Sequence, residues 1–296
     1  MYYDALRTFV ALADIKNFTK TAEFLHISQP SVSLHIKNLE AELSTQLFLR
    51  SPKSVKITPS GEMLYDRAQQ MLAIYEQTKL DILSLQNEIK GKLVIGASFT
   101  IGEYILPSLL VDLQQQYPKL DLEMFIGNTD EIIESVRLLK VDVGLIEGQT
   151  TDKELILVPF MEDELLLVAS PEHTLAHQKQ VTIQDLQNLT WLTREEGSGT
   201  RNYLLHVLRS NGIKIKSMLS ISSNQALKES MIRGIDGLTL LSKNVIGREV
   251  KQQTLATIQL EGHTFKRRFS YIYSPIMNNK KNTAMFIKEI KKHYSI

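Results

Sequence analysis

The chain has 296 residues, long enough for two or three compact units. With 43% hydrophobic and 23% charged residues it has the balance of a globular protein, and a formal charge of +1 gives no whole-chain signal for nucleic acid. Cysteine is absent, which excludes disulfides, thiolate catalysis and zinc–thiolate sites, and no apolar run approaches the roughly 20 residues of a membrane helix. The N-terminal "MYYDALRTFVALAD" is periodic and acidic, unlike a secretory signal, so a cytoplasmic location is expected.

In chain order, the first informative stretch is "FTKTAEFLHISQPSVSLHIKNLE". Ala22 and Leu25 on one side of "HISQP", and Val32, Ile36, Leu39 and Leu43 on the other, recur every three or four residues and predict two short helices. Ser28 is placed to cap the second helix and Pro30 sits in its first turn, where a missing N–H costs nothing. Helix, short turn and helix form the skeleton of a DNA-binding helix-turn-helix. With Val32, Ile36 and Leu39 inward, the outer face offers Gln29, Pro30, Ser33, Leu34 and Lys37. Gln29 suits adenine and Leu34 a thymine methyl. An ordinary helical hairpin has the same spacing.

Two brief β-prone runs, "LFLR" and "VKIT", follow around a Ser-Pro-Lys turn and predict a hairpin wing. Arg50, Lys53 and Lys56 make it basic, fit either for phosphate contacts or simply for solvent. Pro59 then opens a long helix in which Leu64, Ala68, Met71, Tyr75, Thr78, Ile82, Leu85 and Ile89 alternate at steps of four and three, up to a stop at Gly91. That heptad seam predicts pairing with another helix, either its copy in a dimer or a helix of the same chain.

From Lys92 the pattern changes to alternating strands and helices. "KLVIGAS", "IGEYILPSLLVDLQQQYP", "LDLEMFIG", "DEIIESVRLLK" and "VDVGLIEG" predict one α/β lobe, and the series from "ELLLVAS" to "GLTLLS" a second. The closing "FKRRFSYIYSP" strand and "NTAMFIKEIKKHY" helix are expected to return to the first lobe.

No motif for catalysis stands out. "EGSGTRN" places Asn202 at the third glycine of a dinucleotide fingerprint, the histidines lack metal-ligand spacing, and G-x-S-x-G, Walker A and H-E-x-x-H are missing. No cofactor and no metal are expected. What recurs is a strand ending in small hydroxyl or glycine residues before a helix, in "GASFTIG", "EEGSGTRN" and "ISSNQAL". Ser98, Thr100, Ser198, Thr200, Ser223 and Asn224 would lie at the carboxyl ends of strands, where open α/β sheets bind ligands, and helix N-termini favour an anion. Each is equally suited to a plain helix cap. Arg201 is placed to add charge or to pair with Glu195 or Glu196, and Glu147 to receive an ammonium group or face water.

These residues resemble the LysR-type transcriptional regulators of bacteria. The likeness runs through nearly the whole chain and is most specific in "FVALADIKNFTKTAEFLHISQPSVSLHIKNLEAELSTQLFLR" and "ITPSGEMLYDRA". It implies an α/β protein with a winged helix-turn-helix over 1–58, a linker and dimerisation helix over 59–90, and an effector domain over 91–296 similar to periplasmic binding proteins, with lobe I at 91–161 and 265–296 and lobe II at 162–264. It implies that Thr19, Ser31 and His35 join Gln29, Pro30, Ser33, Leu34, Lys37 and the wing cations on double-stranded DNA. Leu64, Met71, Tyr75, Ile82, Leu85 and Ile89 would form a homodimer or homotetramer. Ser98, Phe99, Thr100, Glu147, Ser198, Thr200, Arg201, Ser223 and Asn224 would hold a small anionic effector, and RNA polymerase would be a partner of an activator. Leu34, His35 and Ser242 depart from what many members carry. A metabolite-binding enzyme and a coiled-coil interaction protein are the competing readings.

Overall fold

The computed structural model describes residues 2–51, 54–83, 89–275 and 280–294, which form two compact units, Met1–Glu88 and Ile89–Ile296. The first unit holds α1 (Tyr2–Ile15), α2 (Phe18–Leu25), α3 (Gln29–Glu42), the hairpin β1 (Phe48–Ser51) and β2 (Ser54–Ile57), and α4 (Pro59–Leu83). Asn17 caps α2 by accepting from Lys20 N, and His26 ends it in the left-handed region at φ 56°. Ser28 Oγ then accepts from Ser31 N at 3.2 Å and restarts the chain as α3. Val32, Ile36 and Leu39 are buried as their spacing requires, while Leu43, one step further, is exposed at the helix end. Glu40 reaches back from α3 to accept from Leu47 N and Phe48 N, fixing where the wing begins.

The seam along α4 divides. Ala68 is fully buried and Leu64 half-buried against the core of their own unit, beside Phe9, Leu12 and Leu39. Tyr75 is half-exposed and packs on Tyr3 at 4.6 Å between ring centroids. Met71, Ile74 and Ile82 remain exposed. The heptad spacing leaves open whether the stripe packs on its own chain or on a copy; its first third does the former. Leu85 lies outside the described residues, and Ile89 packs into the core of the second unit. Gly91, expected to stop the helix, instead opens β3 at φ 82°.

The second unit is built on a seven-stranded mixed sheet. β3 (Gly91–Ser98) lies between parallel neighbours β4 (Leu120–Gly127) and β5 (Val143–Glu147). The long strand β11 (Phe265–Tyr273) runs antiparallel beside β5, the longer β6 (Ile156–Ala169) runs antiparallel to β11 on its other side, and β9 (Thr239–Ser242) and β10 (Ala256–Ile258) pair with β6. A separate parallel pair, β7 (Leu189–Thr193) and β8 (Ile215–Ser220), packs over the far half of β6. Helices α5 (Leu106–Gln116), α6 (Thr129–Arg137), α7 (Gly199–Ser210), α8 (Asn224–Ile232), α9 (Lys243–Lys251) and α10 (Lys281–Tyr294) cover these strands. β6 and β11 each pass between two apolar cores. Phe160 and Phe269 belong to the one around β3, α5 and α10, Leu165 and Phe265 to the one around Trp191 and α7. The helix expected after β3 begins as a π-turn, Ile101–Ile105, a conformation frequent at functional sites.

Candidate functional site

In the first unit α3 presents the residues expected at DNA. Gln29, Pro30, Leu34 and Lys37 are exposed, Ser31 and Ser33 half-buried, and Gln29 Nε2 donates to Ser33 Oγ at 3.0 Å. Thr19 on α2 and Lys56 on β2 are exposed as well. Arg50 lies in β1 opposite Val55; Lys53 lies outside the described residues. His35 faces elsewhere: its Nδ1 is 2.8 Å from Thr8 Oγ1, and that hydroxyl also donates to Asp4 O at 2.7 Å. With the hydroxyl proton so committed, Nδ1–H is the donor, and the imidazole ties α3 to α1 rather than pointing out with Gln29 and Ser33.

In the second unit the ends of β3, β5 and β7 meet the starts of α7 and α8. Glu147, at the end of β5, is buried and accepts from Thr100 N at 3.1 Å and from Thr200 Oγ1 at 2.7 Å. Arg267 Nη1 donates to both Glu147, at 2.7 Å, and Thr200 Oγ1, at 2.9 Å, and Arg267 Nε donates to Asp163 at 2.8 Å. Burial alone would raise the Glu147 carboxyl, but the guanidinium and the two threonines outweigh it and hold the group down at about 2. Asp163 shares that guanidinium, and burial pushes it up. Ser242 Oγ donates to Asp163 at 2.6 Å while accepting from Asn244 N, a double duty that proline at this position could not perform. Glu147 therefore neither takes an ammonium group nor faces water. Thr200 spends its proton on Glu147 and a lone pair on Arg267, so it braces the site from inside.

The glycines of "EEGSGTRN" have a steric reason. A Cβ on Gly199 would run into Glu147 O and meet Thr129 Oγ1 at 3.0 Å, so only glycine lets α7 start against the end of β5. Gly197, at φ 84°, passes its carbonyl to Asp130 N at the start of α6.

Beside this network stands Arg194, which no sequence motif singles out. Its side chain is 2% exposed, its guanidinium stacks on Phe99 at 4.5 Å, and Nη1 donates to Asn224 Oδ1 at 2.6 Å. Glu195 grips it with both oxygens, at 2.8 and 3.0 Å. Arg201, expected at a ligand or at Glu195 or Glu196, donates instead to the Arg194 carbonyl at 3.1 Å. Ser223 is a plain cap, accepting from Ala226 N, and Ser198 starts α7 without a side-chain cap bond. Ser98 Oγ and Thr193 Oγ1, next in sequence to Phe99 and Arg194, are buried without a hydrogen-bond partner in the structure, as are Arg267 Nη2 and Thr129 Oγ1 in the neighbouring network. Such groups cost about 1–3 kcal/mol each when left unpaired. The Asn224 amide faces the Glu103 carboxyl, which burial pushes up and Arg194 and Asn224 pull down. The signal available in the sequence is a lone arginine one residue past an apolar strand.

Residues 3–62 match the family described as "Bacterial regulatory helix-turn-helix protein, lysR family", and residues 86–295 match the "LysR substrate binding domain". The HTH-type transcriptional regulator CysL of Bacillus subtilis (strain 168) is 53% identical over 294 residues, 99% of this chain and 98% of CysL. The chain belongs to the LysR family of transcriptional regulators. That places this LysR-family regulator among DNA-binding proteins with an effector domain rather than among enzymes. Full-length CbnR complexed with its target DNA shares the fold at a TM-score of 0.56 and 19% identity, covering 99% of each chain. The regulatory domain of Synechocystis PCC6803 CcmR in complex with 2-PG matches 70% of this regulator and 98% of that chain, with a TM-score of 0.65 and 22% identity. Among the described residues no helix is long and apolar enough to cross a membrane.

Proposed function

We propose that this LysR-family regulator binds operator DNA through the exposed face of α3 and the wing, and changes that binding when a small anion enters the site around Arg194. On this reading 1–58 reads DNA, the helix from 59 joins two copies as a homodimer or homotetramer, and 91–296 receives the effector between lobe I (91–161 and 265–296) and lobe II (162–264). RNA polymerase is the partner that the DNA-bound form engages. The carrying observation is a nearly buried guanidinium stacked on Phe99, with an unpaired buried hydroxyl on the residue before that ring: Ser98 Oγ has a hydrogen atom to give and no acceptor in the structure. Support for an anion comes from the chemistry of Arg194, whose guanidinium already holds both oxygens of the Glu195 carboxylate, the geometry a ligand carboxylate would compete for. Of the residues expected to touch the effector, Phe99 and Asn224 contact Arg194 and Ser98 precedes Phe99, while Thr100 and Thr200 both bond Glu147 in the neighbouring network.

Calorimetric titration tests the reading, using inorganic sulfate, phosphate and 2-PG as probes. Ser98→Ala removes one donor and is expected to weaken binding by about 1–3 kcal/mol, roughly 5- to 150-fold, with the fold unchanged by circular dichroism. Equal affinity in parent and variant would place the effector elsewhere.

A further inference from the structure

A cavity of about 570 Å³ lies at the strands shared by the two apolar cores, a volume within the usual range for small-molecule sites. Its polar walls come from Tyr203 and His206 on α7, Gln149 beyond β5, and Lys266, Arg268 and Ser270 on β11, while Leu157 and Pro159 supply an apolar floor. Among the described residues no carboxylate lines it. Lys266 and Arg268 stand two residues apart on one strand and alternate with buried neighbours, so both exposed side chains leave the same face of the sheet about 7 Å apart. Lys266 reaches Glu162 only at 3.9 Å, with both side chains more than half exposed, and Arg268 has no ion pair among the described residues. The β6–β11 register slips between Phe269 and Ser270, at the wall of the cavity, the kind of bulge that re-aims side chains next to functional sites. Burial raises the Tyr203 hydroxyl, so it keeps its proton and can donate.

From these features we infer a second anion site, distinct from the one around Arg194. It takes a small oxyanion-bearing metabolite with its charged group between Lys266, Arg268 and His206, its acceptors toward Tyr203, and its less polar body on Leu157 and Pro159. The two sites share structural parts. Tyr203 is one turn along α7 from Thr200, Gly148 of the cavity wall follows Glu147, and Arg267 both lines the cavity and bonds Glu147 and Thr200. An occupant that pulls on α7 or β11 therefore changes the bracing of the first site, which makes the second a modulator of the response.

The experiment is calorimetry and tyrosine-detected NMR on the full chain with sulfate, phosphate and 2-PG, comparing parent, Ser98→Ala, the pair Lys266→Ala with Arg268→Ala, Tyr203→Phe, and a charge control, Lys92→Ala with Lys243→Ala. The expected result is two binding events in the parent. The weaker event should fall at least tenfold in the Lys266/Arg268 double variant and a few-fold in Tyr203→Phe, and persist in Ser98→Ala and in the control. Binding through Lys266 and Arg268 that survives where Ser98 proves irrelevant would sustain this site while removing the first. A parent with no binding event that depends on Lys266 and Arg268, equal loss in the charge control, or Tyr203→Phe and the double variant both matching the parent would overturn it.

Discussion

At the residue scale the structure turns on which polar groups are already spent. Ser98, Thr100 and Thr200 can be placed at strand ends from the sequence, because small hydroxyls before a helix are a local signal. Their division of labour cannot, since it depends on Arg267, 67 residues beyond Thr200 and 120 beyond Glu147. No local pattern marks "FKRRF" as the source of a buried counter-ion. The consequence is testable through pH. The Glu147 carboxyl is held from an ordinary 4.5 down to about 2, which at about 1.4 kcal/mol per unit gives about 3 kcal/mol of stability from its ionisation. Because the folded value is the depressed one, that contribution is complete above about 4.5 and is lost as pH falls toward 2. Glu147→Gln should therefore destabilise the second unit by about 3 kcal/mol in urea denaturation at pH 7, and the gap from parent should narrow steadily below pH about 4.5. A gap that stayed constant with pH would mean that the Arg267 pairing is not what holds Glu147 ionised.

At the scale of elements, the helix-turn-helix is legible because capping and apolar spacing are local: Asn17, Ser28 and the Val32–Ile36–Leu39 stripe each act within a turn or two. α4 is legible as a helix but not in its allegiance. A heptad stripe states that a face is covered, not by what, and here Leu64 and Ala68 are covered by α1 and α3 while Met71, Ile74 and Ile82 are left exposed. Ile82→Asp should accordingly leave the monomer fold intact and weaken self-association, read as a shift toward monomer in sedimentation velocity; an unchanged assembly would move the interface off this stripe. α9 has no sequence signature of its own because its apolar positions are few, with only Val245 and Ile246 buried. Its Gly247 has open space within 4 Å of where a Cβ would stand, whereas Gly199 has the Glu147 backbone. Gly247→Ala is expected to stabilise by about 0.5–1 kcal/mol through helix propensity, and Gly199→Ala to destabilise by about 1–3 kcal/mol through overpacking, both read in urea titrations. A Gly199→Ala variant as stable as the parent would show that α7 does not depend on close approach to β5.

For the whole molecule, the alternation of strands and helices foretells an α/β unit, but the long reach of β6 does not show in the sequence. Its charged stretch "MEDE" interrupts the apolar run, so only "ELLLVAS" reads as a strand, although the strand spans Ile156–Ala169. Asp163 in that stretch is the inward-facing member, 1% exposed, and it sits where β6 passes from one apolar core to the other. On the proposed reading, β6 and β11 are the elements through which a ligand at the Arg194 site would bias the arrangement of the rest of the unit, and a ligand shifts such an equilibrium only by its difference in affinity between the two arrangements. The most direct measurement is a footprint on the DNA upstream of the regulator's own coding sequence and of its neighbours, taken with and without the anion that titrates the Arg194 site. The account predicts a bounded protected stretch whose extent changes on adding the anion, with protection weakened in Lys56→Ala and with Ser98→Ala keeping the protection but losing the anion-dependent change. A bounded footprint that the anion leaves unaltered in the parent, or no bounded protection at all, would contradict it.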